Sequence, residues 1–379
     1  MVKFIRGAFE SRLLSWLRTE WLLAAFGSLA VLLALADPQP LDRYQGWLQV
    51  PTLAGLMGLM IAIQGIRDSG LVQRAAAALV THVHALRGLG LVLVASAEVL
   101  AMVLTNDVSL FLLVPLTVAI AGLSNLPLAR MVVLEALAVN AGSMLSPIGN
   151  PQNLLLWQSS HLSLLGFVQG MVPAWAVTSL LLAMLTVLWL PKGRITLDRE
   201  ALDGRPLFPP LAVLSVLALA SMVLMMEHGL ALEGALGLLL PFALLARDSL
   251  KRIDWPLLAT FAAIFAGLGH FAALPVVERL LDHFDFGRPL TLYLGGLIGS
   301  QAISNVPATV LLLDRTHDPI ALATAVNLGG FGLVVGSLAN LIALRLARLP
   351  QGLRQFHRVS IPFLLLSAPL VYLVARWLA

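Results

Sequence analysis

The sequence has 379 residues, of which 59% are hydrophobic and 12% are charged, and its formal net charge is +4 at pH 7. This composition excludes an ordinary soluble domain and a disordered chain. The chain contains no cysteine, which excludes disulfides, thiolate metal sites and cysteine nucleophiles. We attribute the positive charge to basic membrane loops and expect no binding of nucleic acid.

The chain opens with a basic amphipathic segment, residues 1–20, that we expect to lie on the membrane surface. Apolar segments then recur along the whole chain, and a helix needs roughly 20 apolar residues to cross a bilayer. Nine segments reach or approach that length: 21–36, 50–66, 132–158, 163–190, 209–226, 229–246, 256–273, 319–343 and 360–378. The sequence therefore predicts an all-α polytopic membrane protein with about nine transmembrane spans.

The basic residues predict the orientation of these spans. With the N-terminus in the cytoplasm, 19 of the 24 Lys and Arg residues fall inside and 5 fall outside, as the positive-inside rule requires. The count holds only if 89–123 and 289–313 each enter and leave on one side, so we predict two re-entrant helical hairpins. The C-terminus then lies outside. Because five crossings separate 21–36 from its counterpart 229–246, the two halves are inverted relative to each other.

These assignments divide the chain into two inverted-topology repeats. The predicted organisation is, in chain order, an amphipathic N-terminal surface segment (1–20), repeat 1 (21–190) with its hairpin (89–123) and broken helix (132–158), a cytoplasmic linker (191–208), an extra span (209–228), and repeat 2 (229–379) with its hairpin (289–313) and broken helix (319–343).

Two motifs occur once in each repeat. The first is a hydroxyl–Asn dipeptide near the middle of each hairpin, Thr105-Asn106 and Ser304-Asn305. The second is a stretch of small polar residues inside an apolar span. An ungapped alignment of these stretches pairs Asn140 with Asn327, Gly142 with Gly329, Gly149 with Gly336, Asn153 with Asn340 and Leu154 with Leu341. Interruptions at matching places in two halves are the best sequence indication of a transport site.

The second motif predicts a broken helix in each repeat. Pro147 and Pro151 remove backbone donors, and glycines carry no bias toward helix. A break frees N–H groups that favour anions at the start of one half-helix, and carbonyls that favour cations at the end of the other. Close helix packing on small residues is the alternative for one such stretch alone. Two matched stretches favour a transport site.

Together these motifs resemble those of the ion transporter superfamily over roughly residues 50–348. This superfamily includes arsenite efflux permeases, citrate–metal carriers, a sodium/proton antiporter branch and divalent-anion/sodium symporters. The resemblance implies a re-entrant hairpin with a Ser/Thr–Asn tip in each repeat, followed by a broken helix, here at 147–153 (PIGNPQN) and 336–340 (GSLAN). Asp107 and Val306 stand where the dicarboxylate branch has threonine. The tips are therefore more similar to the arsenite-permease branch, and the whole sequence to its small inner-membrane permeases.

The substrate and its coupling ion are predicted to bind between the tips and the breaks. The predicted site residues are Thr105, Asn106, Asp107, Asn140, Gly149, Asn150, Asn153, Ser304, Asn305, Thr309, Asn327, Gly336, Ser337 and Asn340. We expect no organic cofactor, and no metal ion other than Na⁺ bound at the tips.

Asp107 is the predicted coupling residue. It is the only acid at a tip, and an acid at membrane depth is costly and usually functional. Burial disfavours the charged form of a carboxyl, so Asp107 is expected to load and release a proton or to act as a negative ligand for Na⁺. A simple helix N-cap is the alternative. Glu98 and Glu135 are further candidates, and each is otherwise expected to pair with an arginine such as Arg130.

These features predict an ion-coupled secondary active transporter of a small anion or oxyacid, arsenite-like or carboxylate, that works by alternating access in the bacterial inner membrane. The coupling ion is H⁺ or Na⁺. A Na⁺/H⁺ antiporter of the same superfamily is the alternative. An anion channel does not need two hairpins that open to opposite faces, and motifs of an intramembrane enzyme are missing. We expect a homodimer in the lipid bilayer, and the resemblance allows a separate ATPase partner.

Overall fold

The structure, a computed structural model, describes residues 20–160, 162–196, 206–349 and 351–378. The amphipathic segment predicted for 1–20 lies outside the described residues apart from Glu20. Within a bilayer, backbone polar groups must bond inside the protein, which is why so apolar a chain forms helices. The described helices are α1 (Trp21–Ala36), α2 (Leu41–Leu48), α3 (Val50–Asp68), α4 (Leu71–His82), α5 (Leu86–Val103), α6 (Asn106–Leu123), α7 (Leu128–Ser143), α8 (Pro151–Ser159), α9 (Leu164–Trp189), α10 (Pro209–Glu227), α11 (Ala231–Leu245), α12 (Arg247–Lys251), α13 (Trp255–Ala272), α14 (Pro275–Leu281), α15 (Pro289–Ile303), α16 (Asn305–Leu313), α17 (Pro319–Leu328), a 3₁₀ turn (Val334–Gly336), α18 (Leu338–Leu346) and α19 (Gly352–Leu378).

Seven helices of the described residues are long and apolar enough to cross a membrane: α3, α5, α6, α9, α10, α13 and α19. The predicted spans 132–158 and 319–343 are not among them, because each is divided into two short helices. The predicted spans 21–36 and 229–246 are not among them either, because their helices α1 and α11 have only 16 and 15 residues. Both 18-residue arms of the first hairpin are among them. A hairpin that crosses twice and a re-entrant hairpin both return to the same side, so the charge count holds for either. The chain is a multi-pass helical membrane protein.

The chain forms two compact units, and each draws segments from both predicted repeats. The first unit contains the described residues up to Gln64 together with Leu217–Asp282, and the second contains Gly65–Val216 and the described residues from His283 onward. Every predicted site residue lies in the second unit.

In the first unit, α13 packs along α1 and against α2. The sequence analysis predicted no helix between the spans 21–36 and 50–66, and α2 lies in that interval. Trp47 stacks on His270 with a centroid distance of 4.9 Å, and the Tyr44 hydroxyl lies 3.4 Å from Nδ1 of the same ring. Gly269 makes room for Trp47, because a Cβ there would lie 2.7 Å from the indole Cγ. Aromatic packing therefore folds this segment onto α13.

In the second unit, α5 and α6 form the first hairpin with its tip at 104–105, and α15 and α16 form the second with its tip at Ser304. Both predicted helix breaks are present. Residues 144–150 separate α7 from α8, and residues 329–337 separate α17 from α18. The second arm of each hairpin packs against the half-helix that follows the break of the other repeat, α6 against α18 and α16 against α8. The tips and the breaks are thereby brought into one region.

Candidate functional site

Each hairpin tip places one buried asparagine at the start of a helix, Asn106 in α6 and Asn305 in α16. Oδ1 of Asn106 accepts a hydrogen bond from the backbone N–H of Asp107 at 2.9 Å, and Oδ1 of Asn305 accepts one from Val306 at 3.0 Å. Because a backbone N–H only donates, these bonds fix the orientation of both side-chain amides. Neither Nδ2 group has a hydrogen-bond partner among the described residues.

The two tips differ in their backbone. Thr105 is the N-cap of α6, and its Oγ1 accepts a hydrogen bond from the Val108 N–H at 3.3 Å. Ser304 has φ +73° and does not cap α16 with its side chain. That backbone conformation strains a residue other than glycine, and such strain is concentrated at functional sites. Thr309 is fully buried, and its hydroxyl donates to the Asn305 carbonyl at 2.8 Å, within its own helix.

Asparagines of the two breaks form reciprocal hydrogen bonds between the two predicted repeats. Asn140 Nδ2 donates to Asn340 Oδ1 at 2.9 Å, and Asn327 Nδ2 donates to Asn153 Oδ1 at 2.6 Å. Because the alignment pairs Asn140 with Asn327 and Asn153 with Asn340, one interaction is made twice with the repeats exchanged. Asn140 and Asn327 also each donate to the carbonyl four residues earlier. All four side chains are buried.

Two asparagines close the first break. Asn150 caps α8 by accepting a hydrogen bond from the Asn153 N–H at 2.9 Å, and its Nδ2 donates to Asn327 Oδ1 at 2.8 Å. Asn153 Nδ2 lies 3.0 to 3.2 Å from three carbonyl oxygens around the break. The first tip joins this cluster, since the Asn106 N–H donates to the Gly149 carbonyl at 2.9 Å. Carbonyls that were predicted to bind a cation therefore already accept hydrogen bonds from the protein.

The second break is held by side chains that the sequence analysis did not predict. Gln301 on α15 donates to the Phe331 carbonyl at 2.8 Å and accepts from the Leu333 N–H at 2.7 Å. Ser360 and His357 on α19 accept from two further backbone N–H groups of the break, at 2.7 and 3.0 Å. The available signals were a lone glutamine in an apolar hairpin arm and two polar residues at helical spacing in α19.

Not every predicted site residue joins the asparagine cluster. No hydrogen bond between described residues connects Ser304, Asn305 or Thr309 to it. Ser337 is buried at the start of α18 and does not cap that helix with its side chain. Asp107 is half-buried beside the first tip, and its carboxylate has no hydrogen-bond partner in the described part of the chain. The side chains at the tips thus retain polar groups that the protein does not satisfy.

The predicted pairing of Glu98 or Glu135 with Arg130 is wrong. Glu98 accepts a hydrogen bond from Ser179 on α9 at 2.6 Å, and Glu135 accepts one from a hydroxyl group on α6. Arg130 lies at the exposed start of α7, where it donates to the Trp189 carbonyl at 2.7 Å. Both glutamates lie in the buried interior, so hydroxyl groups replace the arginine as their partners.

Glycines let the helices that carry the breaks approach the hairpins closely. A Cβ at Gly142 would lie 2.2 Å from the backbone oxygen of Glu98, and one at Gly329 would lie 3.0 Å from that of Leu297. Both contacts join a helix before its break to the first arm of the hairpin in the same repeat. At Gly336 a Cβ would lie 2.4 Å from the Gly329 oxygen. Small residues at these positions permit direct backbone packing.

Gly149→Ala is expected to destabilise the protein by about 1–3 kcal/mol, the usual cost of overpacking. Its Cβ would lie 2.4 Å from the backbone oxygen of Ser143 and 2.8 Å from that of Ala101, so the backbone itself must move. Gly122→Ala is the matched control, because a Cβ there meets nothing within 4 Å. Thermal unfolding in detergent measures both variants. Equal midpoints for the two would show that the first break is not packed this tightly.

The sequence is similar to known membrane proteins over most of its length. The model of a family described as citrate transporter, CitMHS, matches residues 14–319. The chain belongs to the citrate transporter family. Its curated relatives include the inner membrane protein YbiR of Escherichia coli K12, which is 39% identical over 85% of this chain and 87% of its own. The transporter MJ0456 of Methanocaldococcus jannaschii is 29% identical over the same shares.

A third relative is named for a solute other than citrate. The silicon efflux transporter LSI3 of Oryza sativa subsp. japonica is 26% identical over 168 residues, or 41% of this chain and 35% of its own. These names indicate a transporter and not an enzyme. The family description thus names citrate, and the name of this one relative names silicon.

Proposed function

We propose that this protein is an ion-coupled secondary active transporter of a small anion or oxyacid, and that it works by alternating access. The observation that carries the proposal is the pair of free amide donors at the tips, Nδ2 of Asn106 and of Asn305. Each is held on a buried side chain whose oxygen is already occupied. An arrangement that offers N–H groups is suited to oxygen acceptors on a substrate.

The same contacts weigh against a cation as the main ligand of the asparagines. Oδ1 of both tip asparagines accepts from the backbone, and the break carbonyls accept from Asn153, Asn340 and Gln301. The oxygen atoms that Na⁺ would need as ligands therefore mostly accept hydrogen bonds from the protein itself, which disfavours the Na⁺/H⁺ antiporter. Ser337 leaves α18 without a side-chain cap, so its N-terminal N–H groups add to the donors available for an anion.

The substrate class follows from this donor set and from the relatives. We propose a carboxylate or an oxyacid of the arsenite type, which presents several oxygen acceptors to both tips. The test is counterflow in proteoliposomes with labelled citrate, arsenite and silicic acid as the probes. A carrier exchanges labelled for unlabelled solute, whereas a channel does not. Uptake without exchange for every probe that enters would overturn the proposal.

Asp107 is the proposed coupling group, because its half-buried carboxyl lies beside the first tip and has no partner among the described residues. Asp107→Asn is expected to keep counterflow and to lose accumulation under an imposed pH or Na⁺ gradient. Asp107→Glu keeps the charge and is expected to keep part of the coupling. Flux in proteoliposomes measures both. If Asp107→Asn concentrates the probe to the same extent as the native protein does, Asp107 has only a structural role at the hairpin tip and is not the coupling group.

We also propose the orientation that the charge count favours, with the N-terminus inside and the C-terminus outside, the two repeats inverted, and a homodimer in a bacterial inner membrane. The chain has no native cysteine, so single-cysteine labelling has no background. Cysteines placed in 37–46 are expected to react from outside, and those in 247–254 only from inside. The reverse pattern would contradict the orientation.

Co-purification from the native host tests for a separate ATPase partner.

A further inference from the structure

Glu135 is a fully buried carboxyl in the middle of α7, and one of its oxygens is unsatisfied. Oε1 accepts a hydrogen bond from the hydroxyl of Thr117 on α6, which is also fully buried. Oε2 has no hydrogen-bond partner among the described residues. A buried carboxylate is normally paired with a cation or satisfied by several donors, since otherwise it takes up a proton. One hydroxyl does not meet that requirement.

Charged groups on the neighbouring helices do not compensate Glu135. The helices packed against α7 are α5, α6, α9, α18 and α19. Their titratable or charged side chains are Arg87, Glu98, Asp107, Arg345, Arg354, His357, Arg358, Tyr372 and Arg376, and α7 itself adds Arg130. None of these forms an ion pair or a hydrogen bond with Glu135. These groups therefore leave the Glu135 carboxyl without a compensating charge.

Comparison of the repeats shows that the fold does not require this acid. The alignment of the broken helices places Leu322 of α17 opposite Glu135, and Leu322 is fully buried too. The alignment of the tips likewise places Leu297 opposite Glu98 and Val306 opposite Asp107. All three carboxyls thus belong to the first repeat and have apolar counterparts in the second. Apolar side chains pack in such positions at lower cost than an unpaired acid.

The location of Glu135 connects it to the candidate site. It stands on the same helix as Asn140, five residues earlier, so about 7.5 Å along the helix axis. Its partner Thr117 lies on the helix that begins at the first tip. The contact between the two side chains therefore joins the arm that carries the tip to the helix that carries the break.

We propose that Glu135 and Thr117 form a proton-binding site, and that the proton held there is moved together with the anion during transport. The carboxylate takes one proton from water on one side of the membrane and returns it on the other, with no other bond made or broken. A metal cation takes several oxygen ligands, whereas a proton needs one. Asp107 remains the proposed coupling group at the tip, and Glu135 holds its proton inside the protein between uptake on one side and release on the other. The transport part of this inference rests on the proposed function.

Infrared spectroscopy of the full-length protein in lipid nanodiscs tests the proton site without any substrate. The native protein is expected to show the C=O band of a protonated carboxyl that persists above neutral pH. Glu135→Gln should lose this band, whereas Asp107→Asn and Glu233→Gln should keep it. Glu233 is the matched control because it is exposed. A band that is unchanged in Glu135→Gln would overturn the proposal.

A second variant covers the case in which Glu135→Gln does not fold. Thr117→Val removes the one hydrogen bond to the carboxyl, so the band should shift in frequency, and an unshifted band would contradict a protonated Glu135 at this position.

In proteoliposomes, Glu135→Gln should keep labelled-citrate counterflow and lose accumulation driven by a pH gradient. Native-like accumulation would overturn the transport part of the inference. Absence of counterflow for every probe with the native protein would count against the proposed function, and the infrared result would still decide the proton site.

Discussion

Asn305→Asp and Asn106→Asp are each expected to abolish transport of an anion. Either change keeps an oxygen that accepts from the next backbone N–H and replaces the free Nδ2 donor with a second, negative oxygen. Loss of one hydrogen bond to a charged group costs about 1.5–3 kcal/mol, so binding weakens roughly tenfold to a hundredfold before any repulsion is counted. Repulsion between the new carboxylate and an anionic substrate adds to this loss. Counterflow rates in proteoliposomes measure the effect.

Asn305→Asp is the cleaner of the two variants, because Val306 follows it, whereas Asp107 follows Asn106. Asn125→Asp is the matched control, since Asn125 lies between α6 and α7 at the surface and bonds to the segment around Arg194. Counterflow in this control is expected to proceed at the native rate. If Asn305→Asp kept anion counterflow at the native rate, this tip would not donate to the anion and the proposed function would be wrong.

Asn327→Ala is expected to give the largest loss of stability in the asparagine cluster. Its side chain donates to Asn153 Oδ1 and accepts from Nδ2 of Asn150 and Nε2 of Gln152. Truncation leaves Asn153 Oδ1 and Gln152 Nε2 buried without the partner that each has here. Each buried polar group left unsatisfied costs about 1–3 kcal/mol. Thermal unfolding in detergent, followed by tryptophan fluorescence, measures the shift in midpoint.

Asn340→Ala provides a comparison within the same cluster. Asn140 Nδ2, the donor that loses its acceptor, also bonds to the Ala136 carbonyl at 2.8 Å, so it stays satisfied. The Gly330 carbonyl loses its bond from Asn340 Nδ2, so one buried group loses its partner in this variant, against two in Asn327→Ala. The midpoint of Asn340→Ala is therefore expected to fall less than that of Asn327→Ala. Equal midpoints for the two variants and the native protein would show that this cluster does not hold the repeats together.

Much of the fold was predictable because membrane helices depend on local features. Apolar length predicts helices, and glycine and proline inside an apolar span predict breaks, so the hairpin tips and both breaks lie where the motifs indicated. The matched asparagines of the breaks lie in one cluster, whereas Asn305 forms no hydrogen bond to it, and the binding of substrate and ion by these residues stays a prediction. These predictions rest on constraints that act within a few residues of the chain.

The unpredicted features depend on distant contacts. Gln301, His357 and Ser360 satisfy backbone groups of the second break from other helices, and no local pattern specifies that partnership. The exchange of an arginine partner for hydroxyl partners at Glu98 and Glu135 has the same origin, since helix packing decides which side chains face them. The sequence pattern likewise gave no sign that the tip asparagines keep free donors.

The most direct test is an experimental structure of the protein in lipid nanodiscs, determined with the anion that gives the strongest counterflow. We predict one bound anion with oxygen atoms about 2.9 Å from Nδ2 of both Asn106 and Asn305, the usual length of an N–H···O hydrogen bond. An anion bound away from both tips, or a cation held by the asparagine oxygens, would contradict this prediction.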